Sequence, residues 1–121
     1  MILVTRHPPG SALDQLREVG RVAVWEGEGV MPRAELLAQV ADAEALYCML
    51  TDQVDRELLD AAPRLKAVSN MAVGVDNVDL VACSQRGIPV GHTPGVLTEA
   101  TADLAFGLVL AAARRIGEGY D

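Results

Sequence analysis

Aromatic residues are nearly absent: one Trp, one Phe and two Tyr, 3% of the 121 residues. A core must therefore be filled by aliphatic side chains, and half of the residues are apolar, enough for one ordered domain. Basic residues are also few. Ten Lys and Arg against seventeen Asp and Glu leave a formal charge of −7. An acidic chain with no basic cluster lacks the field that draws nucleic acid or an anionic membrane, so neither is expected as a partner. Only two cysteines occur, Cys48 and Cys83, and neither belongs to a CxxC or Cys/His ligand pattern. Both read as small buried residues of a cytoplasmic protein, and no metal site is expected. Long apolar runs are missing too. The longest, Leu104 to Ala113, falls well short of the roughly 18 residues that span a bilayer, and Pro8-Pro9 interrupts the start too early for a signal peptide.

The common catalytic signatures are absent as well. There is no GxGxxG, no phosphate loop ending in Gly-Lys-Ser/Thr, and no GxSxG elbow. His7 and His92 lie far apart, and His92 precedes Thr93-Pro94, where extended backbone is expected.

What is present is a regular alternation. Strands are expected over 1–6, 21–26, 45–50, 66–71 and 88–93. Helices are expected over 11–20, from Pro32 through Val40, over 55–62 and over 78–86, with stops at Gly20, Pro63 and Gly87. Pro89 suggests that the fifth strand lies at an edge. Strand-then-helix units imply a parallel sheet covered on both faces, an open doubly wound α/β domain. Ligands of such sheets sit beyond the carboxyl ends of the strands, here His7 to Ser11, Leu50 to Gln53, Met71 to Asp76 and Thr93 to Thr98. A last helix, 97–116, has Thr98 as its expected N-cap, Arg114 and Arg115 at its negative end and Gly117 as its stop. Its middle is apolar all round, so the sheet domain should cover one side and a second domain or second copy the other.

One strand end stands out, NMAVGVDNVD over Asn70–Asp79. Gly74 could simply permit a turn, with Asp76 capping the next helix through the amide of Val78 or Asp79. It could also leave room for a ligand to approach the amides of Val73, Gly74 and Val75. Successive N–H groups bind carboxylate or phosphate without any charged side chain. The two roles are compatible. Likewise Thr51 and Asp52 read as turn residues capping the helix that starts near Asp55.

Residues 70–116 resemble the D-2-hydroxyacid dehydrogenase family, particularly its glyoxylate/hydroxypyruvate reductase branch. Three pieces carry the likeness: VGVDNVD at 73–79, RGIPVGHTP at 86–94, and TEATADLA at 98–105 opening the long apolar helix. The resemblance implies an oxidoreductase that uses NAD or NADP to interconvert a small 2-keto acid and a D-2-hydroxy acid. Residues 1–93 would be a flavodoxin-like substrate-binding domain. Residues 94–121 would be the hinge and first helix of a truncated Rossmann coenzyme domain. Ala72, Val73 and Gly74 would hold the substrate carboxylate by backbone amides, and Leu50 would border the substrate. His92, Thr93, Pro94 and Gly95 would form the hinge. Thr101 would lie near the nicotinamide, and helix 98–116 would mediate a homodimer. The family's glycine motif and its Arg, Glu and His lie beyond the positions matched here. Neither His7 nor His92 stands at the acid–base position, so no catalytic residue is assigned and the 121-residue chain is expected to be inactive alone. The alternative is a stand-alone flavodoxin-like binding or self-association module. A receiver domain would want an acidic pair where Thr5-Arg6-His7 stands, and a flavin carrier a richer phosphate loop than TRHPPGSA.

Overall fold

Short runs of Val, Leu and Ile bounded by turn residues become strands, and the mixed stretches between them become helices. The computed structural model describes residues 1–120. Its strands are β1 (Ile2–Val4), β2 (Val22–Val24), β3 (Ala45–Met49), β4 (Ala67–Met71) and β5 (Val90–Gly91). Its helices are α1 (Ala12–Val19), α2 (Arg33–Val40), α3 (Arg56–Ala61), α4 (Leu80–Gln85) and α5 (Thr98–Ala113), followed by a 3₁₀ helix, Ile116–Tyr120. All strands are parallel, in the order β2-β1-β3-β4-β5. This is the flavodoxin-like order, with β1 and β3 as neighbours at the point where the winding reverses. β5, which follows Pro89, lies at the edge as expected.

Register decides which residues share a face. Leu3 pairs with Leu46, Leu46 with Val68, and Val68 with Val90. On that face Leu3, Leu46 and Val68 meet Leu36 and Val40 of α2, Leu58 and Leu59 of α3, and Ala82 and Cys83 of α4 in one buried cluster, with Val90 half-buried against it. Each fully buried leucine contributes about 1.5–3 kcal/mol. The opposite face carries Ile2, Ala45, Tyr47, Ala67 and Ser69, and α1 overlies it, leaving a groove between helix and sheet.

The caps differ from those read in the sequence. Asp79, not Asp76, caps α4, accepting from the amide of Ala82 at 2.8 Å. Asp55 caps α3, accepting from Leu58 N–H at 3.0 Å, so Thr51 and Asp52 are not needed for that task. Thr98 is the first residue of α5 rather than its cap; Leu97 holds the N-cap position and makes no side-chain cap bond. The far end turns at Arg115, with φ of 51°, before Gly117 is reached.

The larger correction concerns the cover on α5. The sheet domain was expected to bury one side of it, yet no residue of this helix is buried. Leu104, Phe106, Leu108 and Val109 are 65, 66, 61 and 63% exposed. The domain core closes on α2, α3 and α4 and leaves nothing for α5 to fill. Even so, no helix among the described residues is long and apolar enough to cross a membrane.

At the opposite end of the sheet, Glu44 ties three elements together. It accepts from Lys66 Nζ at 2.7 Å and from the N-terminal ammonium at 3.3 Å. Lys66 first, and then the ammonium, hold its carboxyl down at about 2. The folded value lies below the unfolded one, so the stabilisation is present above the ordinary carboxylate range and disappears as pH falls toward 2. Denaturant melts of wild type and Glu44→Gln should therefore differ at about pH 6 and converge by about pH 2.

Candidate functional site

Beyond the carboxyl ends of β1, β3 and β4 the apolar core gives way to four buried polar residues, Thr5, Asp52, Asn70 and Asn77. Asn70 lies on the core-facing side of β4, two residues after Val68. Its Nδ2 donates to Asn77 Oδ1 at 3.0 Å, and Asn77 Nδ2 returns a bond to Asn70 Oδ1 at 3.1 Å. The remaining Asn70 proton goes to the carbonyl of Gly74 at 3.2 Å. Asn77 Nδ2 also faces the carbonyls of Asp52, at 2.8 Å, and Met49, at 3.1 Å. Two protons serving three acceptors means that one is shared. Asp52 turns inward, accepting from the Thr5 hydroxyl at 2.5 Å and from Met49 N–H at 2.8 Å. Val54 completes the tie by pairing with the segment after the loop: its N–H donates to Asn77 O, and Asp79 N–H donates to Val54 O, both at 2.8 Å.

Together these bonds fix the loop from Ala72 to Asp76. Its peptide units share a pattern. The Ala72 carbonyl accepts from Thr93 N–H at 2.9 Å and Thr93 Oγ1 at 3.2 Å. The Val73 carbonyl faces His92 Nδ1 at 2.9 Å, and the Gly74 carbonyl is the one held by Asn70. All peptide bonds are trans. In a trans unit the N–H points opposite to the C=O, so each anchored carbonyl aims the following N–H away from its anchor. Among the described residues no acceptor meets the N–H of Val73, Gly74 or Val75. The Ala72 N–H, by contrast, is engaged with Asn70 O at 2.8 Å.

The loop borders a cleft of about 540 Å³. Leu50, Ala72, Val73, Gly74 and Thr93 line it together with Met71, Asp76, Asn77, Val96 and Leu97. Thus the structure brings the sequence-derived residues Leu50, Ala72, Val73 and Gly74 into one site. Of the residues expected to form a hinge only Thr93 reaches the wall; His92 acts behind it on Val73, and Pro94 and Gly95 lie outside. Gly95, at φ of +77°, makes the turn into α5. Thr101 is not in the wall, but its amide donates to Leu97 O at 2.9 Å, one helical turn away.

Gly74 itself is informative. Its φ is not positive, and a Cβ built there would meet only Asp76 Oδ2, at 3.6 Å, an ordinary contact. The turn therefore does not require glycine. The space in front of Gly74 is free for something from outside the chain.

Neither cysteine lines the cleft. Burial, with Asp52 and Cys83 nearby, pushes the Cys48 thiol up to about 12. It stays protonated, and Sγ donates to Asn70 Oδ1 at 3.5 Å. No cluster of His, Cys, Asp and Glu suited to a metal exists among the described residues.

The family model for the D-isomer specific 2-hydroxyacid dehydrogenase catalytic domain matches residues 2–118. The chain belongs to that family. Within it, the chain is 50% identical to the glyoxylate reductase of Thermococcus gammatolerans over 117 residues, 97% of this chain and 35% of that protein. The glyoxylate reductase of Pyrococcus furiosus is 47% identical over 118 residues, 98% of this chain and again 35% of the relative. Among solved structures, the TT0316 protein from Thermus thermophilus matches with a TM-score of 0.87 at 53% identity, over 98% of this chain and 38% of that one. A D-lactate dehydrogenase from Aquifex aeolicus, complexed with NAD and lactic acid, matches with a TM-score of 0.77 at 25% identity, over 98% and 36% of the two chains. The chain thus spans about a third of the length of the curated relatives it matches.

The network beneath the loop was not foreseen from the sequence. Its visible sign is an asparagine at a core-facing position of an otherwise apolar strand, AVSNM. Asn77→Leu leaves the Asp52 carbonyl without its side-chain partner and takes one bond from the Met49 carbonyl, which keeps the Asp52 N–H, and two from the amide of Asn70. It should lower the unfolding free energy by about 3 kcal/mol in urea melts.

Proposed function

We propose that this chain forms the substrate-binding part of an NAD(P)H-dependent oxidoreductase that interconverts a small 2-keto acid, glyoxylate or hydroxypyruvate, and a D-2-hydroxy acid. One observation carries this: consecutive backbone N–H groups at Val73, Gly74 and Val75 that meet no acceptor among the described residues, beside a cleft that Val73 and Gly74 line. A carboxylate placed there would accept charge-assisted bonds from preoriented amides without meeting a side-chain cation. Gly74 lets it come close, and Ala72 borders it.

The rest of the wall has complementary roles. Leu50, Met71, Val96 and Leu97 make the remainder of the cleft largely apolar. Asp76, the only ionisable side chain in that wall among the described residues, disfavours a second negative group on the substrate. NAD or NADP, when bound, supplies or accepts the hydride. The residue of this chain that fits its nicotinamide end is Thr101, exposed and one turn from the wall. In this reading residues 1–93 are the substrate domain, and 94–121 are the hinge and first helix of the coenzyme domain. Reduction also needs a proton donor within hydrogen-bond reach of the substrate oxygen, and among the described residues the wall holds no His, Lys, Tyr or Cys to supply one. The 121-residue chain alone therefore binds without turnover. The exposed apolar surface of α5 would be covered by a second copy through helix 98–116, giving a homodimer.

Titration of the ¹⁵N-labelled chain with glyoxylate should shift the amides of Val73, Gly74 and Val75, while NADH and NADPH absorbance stays constant. Gly74→Ala should keep the stability within about 1 kcal/mol and abolish those shifts. No response in the wild-type chain would overturn the proposal. Light scattering at micromolar concentration should give a dimer, and Phe106→Glu with Leu108→Glu should give a monomer.

A further inference from the structure

We infer that His92 is a positioning residue: it fixes the Val73–Gly74 peptide so that carboxylate binding and the hinge conformation become reciprocal. This rests on the carboxylate site proposed above and concerns how that site is aimed. The Val73 carbonyl can only accept, so the imidazole must present a proton on Nδ1, across 2.9 Å. That bond pins one side of the peptide unit whose other side carries the Gly74 N–H, and Gly74 lines the cleft. Polarising the carbonyl also strengthens the N–H as a donor, because the two groups share one conjugated unit.

The position of His92 gives the bond its second consequence. His92 follows β5 directly and precedes Thr93, Pro94 and Gly95, which lead into α5. Thr93 holds the neighbouring Ala72 carbonyl twice, through N–H and Oγ1. Two adjacent hinge residues therefore grip two adjacent loop carbonyls. Rotation of the chain about this segment must drag the Ala72–Val73 and Val73–Gly74 units with it or break the bonds. An acid seated on the loop consequently favours one hinge conformation, and that conformation favours the acid, by an equal factor in both directions. Asn70 grips the third carbonyl, that of Gly74, from the rigid sheet. The loop is thus held on one side by the core and on the other by the segment that leads into α5.

The test compares wild type, His92→Ala and His92→Asn in the full 121-residue chain by ¹⁵N NMR titration with glyoxylate. Asparagine can present Nδ2–H near the place of Nδ1–H, whereas alanine has no donor. His92→Ala should bind about fivefold more weakly, the worth of one hydrogen bond, with its largest loss of shift at Gly74. His92→Asn should recover most of the affinity and the Gly74 shift. His92 is exposed, so neither variant should alter the melting temperature by more than a few degrees. In addition, glyoxylate should shift the amide of Gly95, which lies outside the cleft wall, in wild type and less in His92→Ala. Wild-type affinity and an unchanged Gly74 shift in His92→Ala would overturn this inference while leaving the carboxylate site intact. Failure of wild type to respond at Val73, Gly74 and Val75 would overturn both.

Discussion

The reciprocal pair of side-chain amides at Asn70 and Asn77 is the interaction on which the site depends. Two asparagines sealed beneath the loop satisfy each other and still have protons for Gly74, Asp52 and Met49. Buried polar groups are tolerable only when every donor and acceptor is matched, and this cluster meets that condition through carbonyls drawn from separate strand ends. A cluster built that way cannot relax locally. Moving the loop by an ångström would break bonds to the ends of β3 and β4 at once. The rigidity that the proposed backbone binding surface requires therefore comes from underneath it.

This arrangement differs from recognition by a basic side chain. A lysine or arginine brings charge but also freedom, and must be ordered when the ligand arrives. Peptide N–H groups already fixed by their own carbonyls lose nothing further on binding. The acidic composition of the chain is then no obstacle to an anionic ligand at this one place.

Much of the fold was legible because its signals are local. Strand and helix alternate with the right periods, and Pro89 marked the edge strand. The strand-end rule located the loop and Leu50 without reference to any ligand. Long-range partners were not legible. Asp52 follows a strand and looks like turn chemistry, yet it turns in to Thr5, a contact across 47 positions. Asp76 and Asp79 are both plausible caps by composition, and only the backbone path decides that Asp79 meets Ala82. Thr98 looks like a cap, but the turn at Gly95 delivers the chain with Leu97 already in that place. The cover on α5 was misjudged for a related reason. Its sequence demands burial but does not say which surface supplies it.

The nakedness of α5 has a consequence for biosynthesis. Every residue of the buried cluster lies at or before Ile88, so the sheet and its helices can close while the final helix is still inside the ribosome. Newly made chain would emerge as a finished globule trailing an oily rod. Such a rod, with its apolar side chains bare, resembles the clients that chaperones hold. Order of maturation is thereby written into the architecture: scaffold first, final helix afterwards.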